Sequence, residues 1–387
     1  MPENSLQRRT FLTGLAAAGT AAFLAPQAAC ASQAPAHPAP AHPTPAHAAH
    51  AAMLMALIGS YTSSTPAGHG LEVAHRADSG ALEPSGVVEG VPDASWLAWS
   101  PDHQYLYVTN EVPQGTVTAV DLTSHTPKVI NTQPTGGAGT THASVHPDGK
   151  FLFTANYSDG TVSVHRRNDD GSIGEATDLV KHPGDQPHAH QVLVDISKRW
   201  VIAVDLGADS VFVYALDPAT GKLTQNQQLA LPPGTGPRHL DFDGATRAYL
   251  LAELNSTITV LDFDPEGGKF TAGEVISSRA PEATGENFPS EIAVTRDGKF
   301  VYAANRGDNN IAAFAIEGSA LKFLGATPTG GDWPRHFALD PEQTSLYVSN
   351  QRSGTITRLT RDAQSGLLSP APEVLEIPSV AVVTFHG

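Results

Sequence analysis

The chain has 387 residues, 40% of them hydrophobic and 16% charged, with 35 Gly and 30 Pro. So much Gly and Pro excludes a helical bundle or coiled coil and favours many short elements joined by tight turns. A formal net charge of −16 repels phosphate backbones and excludes nucleic acid as a partner.

Residues 1–31 read as an export leader. Arg8 and Arg9 precede an Ala/Gly-rich apolar run that ends near Leu24, shorter than the ~20 residues of a membrane span. The expectation is passage through the twin-arginine export machinery to the periplasm or the exterior. Small residues at Ala29, Cys30 and Ala31 suit cleavage, and lipid attachment at Cys30 is the alternative. Because Cys30 is the single cysteine, the folded body has no disulfide and no cysteine nucleophile. Residues 32–51 are almost entirely Ala, Pro and His, a composition that cannot bury a core and reads as an extended linker.

From residue 52 to 387 one phrase recurs: an apolar strand, a Gly- or Asp-containing turn, a second apolar strand ending in a polar residue, then a third strand. Taking Asn110, Asn156, Asp205, Ala252, Asn305 and Asn350 as anchors, six copies stand 45 to 53 residues apart, the range of four-stranded propeller blades. Alternating apolar residues mark the segments as strands. A seventh copy is split between the termini. Pro378-Ser379-Val380-Ala381-Val382 mirrors the opening strand at Pro289-Ser290-Glu291-Ile292-Ala293, and Leu57 to Thr62 mirrors a second strand. The sequence therefore predicts an all-β, seven-bladed propeller closed by N- and C-terminal strands in one blade, an arrangement that removes exposed edges.

In such a ring, equivalent positions of successive blades face the central channel, and two columns carry unusual residues. The first, at the opening strands, reads Ser95, Thr141, His190, Arg238, Ser290 and Arg335. The second, just after the anchors, reads Glu111, Tyr157, Leu206, Glu253, Arg306 and Gln351. Adjacent blades three to five thus supply an imidazole, two guanidinium groups and a carboxylate. Arg335 is placed on the far side of the ring and expected to be functionally silent. His188 and His190, two residues apart, are expected on one side of a strand. The anchoring Asn residues read as strand-end turn chemistry.

Several motifs resemble the seven-bladed lactonase family, which includes propeller-type 6-phosphogluconolactonases and carboxymuconate cyclases. They are Ile58-Gly59-Ser60-Tyr61-Thr62, Gln186-Pro187-His188-Ala189-His190, Gly236-Pro237-Arg238-His239, Ala252-Glu253-Leu254-Asn255-Ser256, Phe288-Pro289-Ser290-Glu291-Ile292-Ala293, Ala304-Asn305-Arg306-Gly307-Asp308-Asn309 and Pro334-Arg335-His336-Phe337. The resemblance implies a site of His190, Arg238, Glu253 and Arg306, with His188 and His239 as further substrate-binding candidates. It also implies a small-molecule lactone as substrate and a monomer, and assigns no cofactor or metal.

Lactone hydrolysis needs water to be deprotonated, an oxyanion to be stabilised and a ring oxygen to leave with a proton. His190 is the expected base or proton shuttle, and Glu253 is expected to orient it or to be the base itself. Arg238 and Arg306, as planar forks, suit a substrate anion or a developing oxyanion. Two other classes fit the sequence: a metal-dependent lactonase using Glu253, Asn156, Asp205 or Asn305, and a non-catalytic exported binding propeller.

Overall fold

The computed structural model describes residues 54–124 and 126–386. The expectations for the leader, the linker and Cys30 lie outside these residues. Every regular element among them is a strand, twenty-eight in all, arranged in seven four-stranded antiparallel sheets. Blades 1 to 6 each use four consecutive strands, the first at Ala94–Trp99, Thr140–Val145, Ala189–Val194, Pro237–Asp243, Phe288–Val294 and Pro334–Leu339. Blade 7 joins Val380–Phe385 to Leu54–Ser60, pairing Ala56 with Phe385 and Ser60 with Val380. The terminal closure expected from the split repeat is therefore present, with its N-terminal strand beginning at Leu54.

The first strand of each blade touches the first strands of both neighbours, all the way round the ring. Each blade is covered on both faces, so its inner strands read as continuous apolar runs while its outermost strand meets water. Phe151–Asn156 is buried throughout, whereas Lys128–Pro134 is largely exposed. Seven apolar clusters fill the blade interfaces. Between blades 2 and 3, for example, Phe151, Phe153 and Val164 pack on Val192, Val201 and Phe212. Each such side chain contributes roughly 1.5–3 kcal/mol by leaving water.

Polar latches fix the angle between blades. The hydroxyls of Tyr107, Tyr302 and Tyr347 donate to the carbonyls of Gly171, Gly366 and Gly80, each in the next blade, at 2.7–2.9 Å. Gly171 adopts φ +82°, and a Cβ there would lie 2.1 Å from the Tyr105 ring, so only glycine fits. The buried anchors behave as turn chemistry. Asn110 Nδ2 donates to the Pro92 carbonyl at 2.6 Å, while its Oδ1 accepts from Thr116 and Thr118.

Candidate functional site

The first strand of every blade carries an irregularity in its pairing with the second. The register shifts between Ala94 and Trp96, Thr140 and His142, Ala189 and Gln191, Pro237 and His239, Pro289 and Ile292, and Pro334 and His336. In blade 7 the partners of Gly59 and Ser60 jump from Val382 to Val380. The residues skipped are the first column, Ser95, Thr141, His190, Arg238, Ser290, Arg335 and, at the terminus, Ala381, with Glu291 skipped as well in blade 5. A bulge breaks the two-residue alternation and re-aims side chains. Here it turns consecutive residues toward the axis, so that Ser95 and Trp96, Arg238 and His239, and Arg335 and His336 all line one central pocket with Thr141, His190, Glu291 and Ala381.

The second column forms the rim above. Backbone amides of Tyr61, Glu111, Tyr157, Leu206, Glu253 and Gln351 make equivalent bonds to loop carbonyls of their own blades. Glu253 Oε2 lies 2.6 Å from Arg306 and 3.2 Å from Arg238 Nε, so one carboxylate holds two guanidinium groups. Arg306 is further fixed by donating from Nε to the Phe288 carbonyl at 2.8 Å. Arg238 NH1 donates to the Ser290 carbonyl, but its Nε, buried beside Glu253, lacks a well-aligned acceptor. Burial and the neighbouring Arg306 push Arg238 down to about 9, which leaves it protonated at neutral pH.

A second cluster corrects the expectation for Arg335. Its NH2 donates to Glu111 Oε2 at 3.1 Å, and the same oxygen accepts from the Tyr61 hydroxyl at 2.6 Å. Blade 7 alone separates blade 6 from blade 1 in the closed ring, and the bulge at Pro334 and His336 turns Arg335 into the shared pocket. Arg335 is thus part of the site, and its partner is the carboxylate of blade 1.

The pocket floor is a layer that the column analysis missed. Trp96 of blade 1 packs against His142, His239 and His336, with ring centroids 4.2–5.3 Å apart, so its indole spans the channel. His190 Nδ1 lies 3.1 Å from His239 Nε2, and His239 Nδ1 lies 3.1 Å from Glu291 Oε1. His336 Nε2 approaches the other oxygen of Glu291 at 3.6 Å. Burial, reinforced by Arg238 and His239, holds His190 well below the ordinary imidazole value, so it is neutral at pH 7.

These contacts revise three expected roles. Glu253 is occupied by two arginines, and His239 takes the place expected for it beside His190. His239 itself uses both ring nitrogens within the protein and has none left for a substrate. His188 does not line the pocket with His190, although both rings pack against Tyr157. It precedes the strand, stacks on Tyr157 at 4.5 Å, and its Nδ1 meets the Tyr157 carbonyl at 2.8 Å. The oxygen ligands proposed for a metal are not brought together. Asp205 bonds His182 and the amides of His188 and Ala208, while Asn156 and Asn305 are taken up by neighbouring side chains and backbone. Among the described residues no three or more His, Cys, Asp or Glu side chains are grouped to hold a metal ion.

A ring of seven blades with a channel site of imidazole, guanidinium and carboxylate groups defines the class, and comparison with known proteins gives the family. The family described as "Lactonase, 7-bladed beta-propeller" matches residues 55–385, and the chain belongs to it. A 6-phosphogluconolactonase of Bacillus subtilis is 31% identical over 342 residues, covering 85% of this chain and 97% of the relative. One from Formosa agariphila is 30% identical, covering 83% and 96%. Among solved structures, the periplasmic gluconolactonase PpgL of Pseudomonas aeruginosa superposes with a TM-score of 0.81 at 27% identity, covering 86% of this chain and 99% of that one.

Proposed function

We propose that this chain hydrolyses the ring of an anionic sugar-acid lactone, in the manner its 6-phosphogluconolactonase relatives are named for. The observation that carries this reading is the charge at the channel mouth. Arg238, Arg306 and Arg335 converge there beside the rim carboxylates Glu253 and Glu111, with the third acid, Glu291, set among the floor histidines, so guanidinium groups crowd the mouth in a chain of net −16. Guanidinium forks bind phosphate or carboxylate in two-point fashion. Arg335, which lines the pocket, is the group best placed to take the substrate's anion.

In this reading neutral His190 accepts a proton from water at Nε2 as the water oxygen bonds to the ring carbonyl carbon. The oxyanion that forms is stabilised by the guanidinium of Arg238, which lines the pocket beside His190. Collapse of that intermediate breaks the bond to the ring oxygen, which takes the proton back from His190. Glu253 holds the two guanidinium groups in place. The Arg8-Arg9 leader supports export, which would put this chemistry outside the cytoplasm.

A pH-stat screen of the full chain tests the proposal by counting the acid released. Phosphorylated or carboxylated lactones should turn over with higher kcat/KM than neutral glucono-δ-lactone. A preference for the neutral lactone would overturn the anionic substrate class, and no turnover of any of them would favour a binding protein.

A further inference from the structure

The floor of the channel holds a line of three groups whose hydrogen-bonding capacities depend on one another. Glu291 of blade 5 meets His239 Nδ1 of blade 4, and His239 Nε2 meets His190 Nδ1 of blade 3, each at 3.1 Å. All three side chains are at least nine-tenths buried, so no water-facing alternative competes for these bonds. An ionised carboxylate can only accept. It therefore requires a proton on His239 Nδ1, which leaves Nε2 of that neutral ring as an acceptor. His239 Nε2 in turn requires the proton of neutral His190 to sit on Nδ1. The single ring nitrogen of His190 left bare is then Nε2.

We propose that Glu291 and His239 are positioning residues that fix His190 in the tautomer able to take a proton from water, with neither of them touching the substrate. The inference rests on the lactonase reading of the site for its kinetic consequence, but the tautomers themselves do not depend on which substrate is bound. When His190 becomes cationic at Nε2, its Nδ1–H bond to His239 strengthens and the Glu291 charge stabilises the pair. Returning the proton to the departing ring oxygen restores the starting arrangement, so the positioning pair is unchanged over the cycle.

Protonation of Glu291 reverses the line. The carboxylic acid donates to His239 Nδ1, His239 must carry its proton on Nε2 and donate to His190 Nδ1, and His190 is left with a proton on Nε2. The base is then lost although no imidazole has become charged. Glu291 is faced by His239 and Arg238 from blade 4 and by His336 from blade 6, with the Asp241 carboxylate close enough to interact. Burial raises its affinity for a proton, against the pull of His336 and Arg238. Because burial holds His190 well below the ordinary imidazole value, an acid limb in the kcat profile is expected to follow Glu291 and its place in the line.

Nitrogen-15 NMR of histidine-labelled full chain, without substrate at pH 7, reads the tautomers directly. The expected result is Nδ1–H for both His190 and His239. A kinetic arm uses Glu291→Gln and the conservative Glu291→Asp. The first should lower kcat about 10- to 100-fold with KM nearly unchanged and should remove the acid limb of the kcat profile, whereas the second should keep that limb. An Nε2–H tautomer of His190 in the wild-type protein overturns the proposal. So does a folded Glu291→Gln protein with wild-type kcat and an unchanged acid limb. A protein that hydrolyses no lactone but shows the Nδ1–H pair would refute the substrate reading and leave the tautomer assignment standing.

Discussion

Arg335 and Glu111 meet at 3.1 Å although they stand 224 positions apart in the chain, because the ring brings blade 6 round to blade 1 across the blade built from both chain ends. With Arg335 as the proposed anion-binding group, the pair would tie substrate recognition to closure of the fold. Arg335→Ala should raise KM about tenfold to a hundredfold, the scale of a lost charge-assisted hydrogen bond, with a smaller change in kcat. Steady-state kinetics on the best lactone checks this. An unchanged KM would return Arg335 to a structural role.

That relationship also shows where the sequence stops being readable. The repeats, the split terminal blade and the columns holding His190, Arg238, Glu253 and Arg306 are legible because each blade repeats one pattern at one spacing. Arg335 is misplaced when position along the chain stands in for position around a closed ring. The floor is missed for a different reason. A regular strand sends the residue after Ser95, Ser290 or Arg335 to the opposite face, but the bulge suspends that alternation and brings Trp96, Glu291 and His336 inward beside His239, which the family resemblance alone marks. Reading one position further along the first column would have found them. The recurring Pro-Arg-His in blades 4 and 6 was the available signal.

Glu253 sits between two guanidinium groups, so its removal leaves both facing each other. Glu253→Gln should destabilise the fold by about 1–3 kcal/mol, since the pair is only partly screened by solvent, and should loosen Arg238 enough to lower kcat. Denaturant unfolding and kinetics on the same sample measure the two effects. A variant as stable and as active as the wild type would show that the carboxylate does not organise the arginines.

Stability should also respond to acid in a definite direction. Burial holds His142, His190 and His239 well below the ordinary imidazole value and takes His336 down to about 4. An unfolded imidazole takes up its proton near 6.5, so the stabilisation is complete above that pH and is lost as pH falls toward 4. Each group costs about 1.4 kcal/mol per pH unit in that window. Asp241, raised to about 6 by burial, and Glu291 act the opposite way, since the folded state binds their protons first, and they offset part of the loss. Urea unfolding at pH 7, 6 and 5 should show falling stability, with a slope about one proton shallower in His336→Gln. Equal slopes would mean that His336 is not buried as a neutral ring.

Closure of the ring makes the C-terminal strand a structural necessity. Residues 380–385 supply the innermost strand of blade 7, and Val380, Val382, Val383 and Phe385 are buried there. Deleting residues 378–387 should lower the melting temperature sharply in calorimetry and loosen the whole ring. Unchanged melting would contradict the closure.

We propose that export depends on Arg8 and Arg9. Replacing both with Lys should keep the protein in the cytoplasm of its host, as followed by cell fractionation. Continued export of that variant by the same route would contradict the reading of the leader.

The proposed function requires neutral His190, on the channel floor beside His239, to activate water against a lactone ring. The most direct measurement is the kcat of folded His190→Ala on the best anionic lactone, followed in a pH-stat against the wild-type protein. A loss of about 100-fold or more with little change in KM is expected. Hydrolysis by His190→Ala at the wild-type rate would contradict it.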